Sequence, residues 1–159
     1  MTWGFAFSSP AHTLASFFGS GVLRPAPGTW GTLAGWIFYA LFLEGLPLMA
    51  QGAATLALLT AGAWASGVTG RDLGVHDHGS VVVDEVFAVW AVLMTVPASL
   101  PWQAAAFGAF RFFDIVKIPP ADFFDEKCRN GWGVMLDDAV AAGYAAAALY
   151  AVRLAAEGL

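Results

Sequence analysis

Four uncharged runs dominate the chain: Pro25 to Leu43, Gly45 to Gly70, Val86 to Phe110 and Ala139 to Val152. Two of them exceed the ~20 residues that cross a bilayer. Short charged clusters separate the runs, and the pattern predicts helices throughout. Ser8-Ser9-Pro10 opens a short helix to about Phe18, too short to span and suited to an interfacial or re-entrant position. Arg24-Pro25-Ala26-Pro27-Gly28-Thr29 follows, with Thr29 read as the cap of the next helix, whose first N–H groups point back toward Arg24. That helix ends near Glu44. A second runs from about Gly52 to Thr69 and is followed by a polar loop, Arg71 to Ser80. Two arms, from Val81 and from Trp102 to Ile118, fold back at Pro97 to Pro101. Pro119 to Met135 is partly a short amphipathic helix, and Leu136-Asp137-Asp138 opens a small-residue helix to about Val152.

The expected fold is all-α. It is a multi-pass membrane helical bundle of about four to five membrane helices plus short interfacial helices, in one domain over residues 1–159. Composition supports the membrane reading. The chain is 58% hydrophobic and only 12% charged, with mean hydropathy +0.66, against about 25% charged in an ordinary soluble domain. Its net charge of -5 argues against nucleic acid as a partner. The single cysteine, Cys128, excludes an internal disulfide and a cysteine-only metal cage. No basic-then-apolar leader opens the chain, so the whole of it is expected to be retained. Arg24, Arg71, Lys117, Lys127 and Arg129 fall on one face if the helices form hairpins, which places that face in the cytoplasm by the positive-inside rule.

Within Val81 to Trp90, Asp84 and Glu85 interrupt an apolar run. Unpaired carboxylates are expensive in an apolar medium, so they require partners. With Ser99 at the hairpin centre, Asp84 and Asp114 sit at similar depth. Arg111, Asp114 and Lys117 recur at i, i+3 and i+6, and Asp137 and Asp138 enter at the same face. Five carboxylates at one depth call for cations, and hard divalent ions such as Mg2+ take oxygen ligands of this kind. With Arg111, Lys117 and the anion-favouring helix start at Thr29 beside them, the set suits phosphoryl chemistry on a lipid phosphate. Taken singly, each piece has a plainer explanation. Asp84 or Asp114 can neutralise Arg111, Asp137-Asp138 can complement a helix dipole, and His76 and His78 can be solvated loop residues. A proton- or cation-coupled transporter, or a structural membrane subunit, is the rival to an enzyme.

Leu14-Ala15-Ser16-Phe17-Phe18-Gly19-Ser20-Gly21, Pro27-Gly28-Thr29-Trp30-Gly31-Thr32, His76-Asp77-His78-Gly79-Ser80-Val81-Val82-Val83-Asp84-Glu85, Phe110-Arg111-Phe112-Phe113-Asp114-Ile115-Val116-Lys117 and Gly131-Trp132-Gly133-Val134-Met135-Leu136-Asp137-Asp138 together resemble bacterial phosphatidylglycerophosphatase A, in motif order and spacing. The resemblance implies a Mg2+-dependent, all-helical enzyme of the bacterial inner membrane. Its active site would face the cytoplasm and convert phosphatidylglycerophosphate to phosphatidylglycerol and inorganic phosphate. It implies Asp84, Glu85, Asp114, Asp137 and Asp138 as ligands of one or two Mg2+ ions. Lys117 and Thr29 become phosphate contacts, joined in our reading by Arg24, Gly28 and Arg111. A spare carboxylate, His76 or His78 is the candidate for proton transfer. The chain departs from the family pattern at Lys117-Ile118-Pro119-Pro120, where Lys-Pro-x-Pro is expected. It lacks the signatures of covalent phosphatases, so attack by activated water is preferred to a phosphoenzyme.

Overall fold

The computed structural model describes residues 1–75, 78–116, 118–119 and 130–157, and every regular element among them is helical. The order is α1 (Trp3–Ala6), α2 (Pro10–Ala15), a 3-10 turn (Ser20–Val22) and α3 (Pro27–Phe38), which continues as a π turn (Tyr39–Leu43). Then come α4 (Leu48–Leu73), α5 (Val83–Leu93), α6 (Leu100–Val116) and α7 (Gly131–Glu157).

Local chemistry explains where the helix ends differ from the sequence expectation. Ser9 caps α2 by accepting from His12 N–H, but the helix stops at Ala15 because Phe17, Phe18 and Gly19 all take positive φ. The α3 helix begins two residues before Thr29. Pro27 occupies its first turn, where a missing N–H costs nothing, so Thr29 lies inside the turn and does not cap it. At its far end α4 runs to Leu73 and closes on Gly74, whose φ of 68° suits glycine. Arg71 and Asp72, read as loop, are therefore helical. The largest shift concerns α7. Asn130 Oδ1 accepts from the N–H groups of Trp132 and Gly133 and starts the helix at Gly131. Asp137 and Asp138 thus sit well inside a helix rather than at its N-terminus, and the dipole explanation for them falls. The short amphipathic helix expected within 119–135 lies largely outside the described residues.

Helix α5 is the centre, packed against α3, α4, α6 and α7. Val83, Val86, Val89 and Val92 on it are fully buried. Glycines allow the close approaches. A Cβ on Gly31 would lie 2.5 Å from Val82 Cβ, and one on Gly35 would lie 3.0 Å from Val86 Cγ1. The Gly35 carbonyl in turn accepts from Trp90 Nε1 at 2.9 Å. A Cβ on Gly131 would meet Ala63 O at 1.8 Å, so the start of α7 crosses α4 backbone to backbone. Small residues serve membrane helix pairs in this way, since lipid supplies no hydrophobic drive between helices.

Around the apolar core, several polar groups are buried and many large apolar side chains are exposed. His12, Thr32, Gln51, Thr69, Asp84, Gln103 and Asp138 are buried, whereas Leu41, Met49, Leu100 and Ile115 are 70%, 86%, 71% and 71% exposed. Several of the buried polar groups pair with one another at the two ends of the bundle. On the α2 side, His12 Nδ1 lies 3.0 Å from Thr69 Oγ1 and its Nε2 lies 3.3 Å from Asp72. At the opposite end, Gln103 accepts from Trp36 Nε1 at 2.8 Å and donates to Glu44 Oε1 at 2.6 Å, while Tyr39 bonds Gln51. Among the described residues, two helices are long and apolar enough to cross a membrane: Leu48–Leu73 and Gly131–Ala156. At 11 and 17 residues, α5 and α6 reach only about 16 and 25 Å, so helix length supports two spans rather than the four to five expected.

Gly31→Leu should destabilise the purified protein by about 1–3 kcal/mol through overpacking against Val82. Gly108→Ala, where a Cβ meets nothing within 4 Å, should leave the thermal midpoint unchanged or raised.

Candidate active site

Carboxylates from two helices meet at one end of α5. Asp84 and Glu85 stand in its first turn, where negative charge favours the helix dipole. Asp138 arrives from α7 in a register set by Met135, one turn earlier. Met135 is fully buried, and its Cε would lie 2.9 Å from a Cβ on Gly62, a site that Val83 Cγ2 also borders at 3.3 Å. Since residues three apart share a helix face, seating Met135 beside Val83 brings Asp138 to Asp84. Asp84, Glu85 and Asp138 each offer an oxygen within 4.8 Å of the others, and Asp84 and Asp138 are only 8% and 4% exposed.

A cation from α6 borders this group. Arg111 Nη1 lies 2.6 Å from Asp114 Oδ2 and 3.7 Å from Glu85 Oε1. The first turn of α3 closes the fourth side: a Cβ on Gly28 would fall 2.2 Å from Glu85 Oε1 and 3.1 Å from Arg111 Nη1. Gly28 is therefore glycine for clearance. The expected depth match of Asp84 and Asp114 is joined by Asp138, which meets the Asp84–Glu85 pair and also reaches Asp114, while Asp114 pairs with Arg111. Asp114 still lies within electrostatic reach of Glu85 and Asp138.

Whether a metal fits here can be judged from the acceptors. Glu85 Oε2 and Asp138 Oδ2 are buried and make no hydrogen bond, and Arg111 Nε is a buried donor without an acceptor. Two unit negative charges about 4 Å apart repel by roughly 4 kcal/mol at an effective dielectric of 20. One guanidinium, already engaged by Asp114, does not offset three such groups. A hard, all-oxygen donor set of this kind suits a divalent cation, with Asp84, Glu85 and Asp138 as the residues that would hold it.

The other sequence candidates are placed as follows. Thr29 is half-buried in the first turn of α3, and Arg24 is exposed ahead of it. Asp137 is half-buried beside Asp138 on α7 and points about 100° away from it around the helix. His78 Nδ1 accepts from Ser80 N–H at 3.1 Å, and its Nε2 lies 3.3 Å from the Met1 amino group, so its ring links the loop to the start of the chain. His76 and Lys117 lie outside the described residues. Sequence reading missed the His12–Thr69–Asp72 contact that docks α2 on α4, because a lone histidine in a short helix carries no local signal. It also missed Gly31 and Gly35, whose four-residue spacing on a helix was the available clue.

The family profile for phosphatidylglycerophosphatase A matches residues 13–153. The chain belongs to the phosphatidylglycerophosphatase A family. Phosphatidylglycerophosphatase A of Haemophilus influenzae is 47% identical over 147 residues, covering 91% of this chain and 90% of its own. The Escherichia coli K12 protein of the same name is 40% identical over 144 residues, covering 90% and 83%. A third relative, from Bacteroides thetaiotaomicron, is 41% identical over 134 residues, covering 80% of this chain and 83% of its own, and is provisionally named a phosphatidylinositol-3-phosphatase. No solved structure matches. Family membership makes the chain an enzyme, a phosphatase, and the motif residues that carry the family resemblance supply all the carboxylates of the site.

Asp138→Asn should weaken Mg2+ binding to the purified protein by at least about tenfold in calorimetric titration, given that even outer-shell partners of a metal site contribute 10–100-fold. Asp72→Asn, which touches only His12 among these groups, should leave that affinity unchanged.

Proposed function

We propose that the chain hydrolyses the phosphomonoester of phosphatidylglycerophosphate to phosphatidylglycerol and inorganic phosphate, with Mg2+ at Asp84, Glu85 and Asp138. The observation that carries this reading is the meeting of three carboxylates, Asp84, Glu85 and Asp138, whose oxygens lie within 4.8 Å of one another in a mostly buried setting beside the Arg111 guanidinium. Bound there, one or two divalent cations would neutralise the carboxylates, polarise phosphoryl oxygens and acidify water. Asp114 and Asp137, at the margin of the group, are the further ligand candidates.

The protein's own groups then handle the phosphate. Arg111 is held between Asp114 and Glu85 and presents Nε to a phosphoryl oxygen. The N–H groups of Thr29 and Trp30 already donate to Ala26 O, so Gly28 N–H and the Thr29 hydroxyl are the donors that α3 turns toward an anion. Lys117, two turns beyond Phe110 in sequence, is the second cation that the family motif supplies, with Arg24 on the approach. Water attacks phosphorus in line, the bond to the ester oxygen breaks, and phosphatidylglycerol leaves as the alcohol of its headgroup glycerol, taking up a proton. Removal of the proton from water falls to a carboxylate of the group or to His76 or His78.

We place the protein in the bacterial inner membrane, α4 and α7 spanning it and α3, α5 and α6 reaching part-way with their charged ends at the cytoplasmic edge. The exposed apolar surface and the buried polar groups support this setting. A cation-coupled transporter has no observation in its favour. The carboxylates gather at one end of the bundle, the valines of α5 fill its centre, and the bonded set of Trp36, Gln103 and Glu44 stands at the other end.

Asp84→Asn and Glu85→Gln should each lower phosphate release from phosphatidylglycerophosphate by about 100-fold or more, and a chelator should abolish release in the parent protein. Arg111→Ala should cost on the order of 100-fold in kcat, with partial recovery in Arg111→Lys. A loss below about tenfold for folded Asp137→Asn would remove that residue from the ligand set. Chelator-resistant release would count against the metal-dependent mechanism as a whole.

A further inference from the structure

Two helices carry the phosphate-side groups of the site, and the same two helices enclose an apolar crevice below it. The start of α3 brings Gly28 to Glu85 and Arg111, and the end of α6 brings Arg111 and Asp114. Further along, Leu33, Ile37, Ala40 and Leu41, from α3 and its π turn, face Leu100 of α6 across a cavity of about 280 Å³. Trp36 also lines the crevice. Its ring lies 5.7 Å from that of Phe107, and its Nε1 donates to Gln103, so it bridges α3 to α6 at mid-depth. Ile37, Leu41 and Leu100 are 52%, 70% and 71% exposed, so protein does not cover the crevice.

We propose that this α3–α6 crevice holds an acyl chain of the lipid phosphate whose headgroup lies at Gly28 and Arg111. The inference rests on the lipid-phosphatase reading above. Leu33 lies five residues beyond Gly28 and Leu41 thirteen beyond it, or about 7.5 and 20 Å along the helix. The headgroup glycerol, phosphodiester and lipid glycerol occupy the first part of that depth, so the acyl chain meets the lining toward Ile37, Leu41 and Leu100. A second apolar groove, lined by Leu48, Gly52, Leu56, Ala91 and Met94, lies between α4 and α5. It is the weaker match, since α4 contributes no group to the site, whereas both walls of the α3–α6 crevice do.

The test uses the full-length protein in phosphatidylcholine vesicles with phosphatidylglycerophosphate carrying a diazirine on one acyl chain. Photolysis should label residues within 33–41 and 100–103, and excess unlabelled phosphatidylglycerophosphate should suppress that label. Label concentrated in 48–56 or 91–94, or label that the unlabelled lipid does not suppress, would overturn the proposal. In a second arm, Ala40→Trp at an exposed position should fill the crevice. Its kcat/KM for a long-chain substrate should fall by about tenfold or more, with less than about twofold change for a dihexanoyl substrate of the same headgroup. Equal loss on both substrates, or loss on neither, would also overturn it. Phosphate release from the photoreactive lipid by the parent protein separates the two readings. No release sinks the lipid-phosphatase assignment, whereas release with label elsewhere sinks only the crevice.

Discussion

Burying carboxylates beside one another is the constraint on which the rest of this structure depends. Asp84, Glu85 and Asp138 come within 4.8 Å at the junction of α5 and α7, and mutual repulsion and loss of hydration both oppose that placement. The fold holds them there by rigid means. The valine face of α5 packs on all its neighbours, Met135 locks α7 into register against Gly62 and Val83, and Gly28 lets α3 close over Glu85 and Arg111. Packing energy elsewhere in the bundle offsets an arrangement that is unfavourable until a cation joins it. Such local conflict inside an otherwise consistent fold is the physical mark of a functional site.

The glycines follow from the same constraint. Carboxylate side chains are short, so the helices that carry them, and those that bring arginine and backbone donors to them, must approach closely. Gly31 and Gly35 let α3 lie directly on α5, and Gly131 lets α7 start against the backbone of α4. Replacing any of these with a larger residue would move a helix by an ångström or more and separate donors from acceptors. The exposed apolar surface has a matching cause. A chain with 12% charged residues cannot cover itself with charge, so it keeps its polar groups for internal contacts and leaves leucine, methionine and phenylalanine outside.

The apolar runs predict helices, the motifs identify the family, and isolated charges inside apolar stretches mark candidates for the site; these are properties of composition and local order. Asp84, Glu85, Arg111 and Asp114 were legible because charge in an apolar segment demands a partner. Helix ends were less legible. Thr29 has the chemistry of a cap, but Pro27 prefers the first turn and starts the helix earlier; Asp137-Asp138 resemble a helix start, but Asn130 caps the helix seven residues before Asp137.

Which carboxylates share a site was decided only in three dimensions. A hairpin count gives depth along a helix but not azimuth, and azimuth determines that Asp138 meets Asp84 and Glu85 while Asp114 pairs with Arg111 and still reaches Asp138. The amino-acid sequence alone determined that this chain is helical, apolar, a member of a lipid-phosphatase family and in possession of an acidic site, because those features depend on neighbours in the chain. The tertiary structure decided the membership of that site, the clearance role of Gly28 and the crevice between α3 and α6. Those features depend on how helices rotate and cross, and crossing is set by contacts between residues distant in sequence.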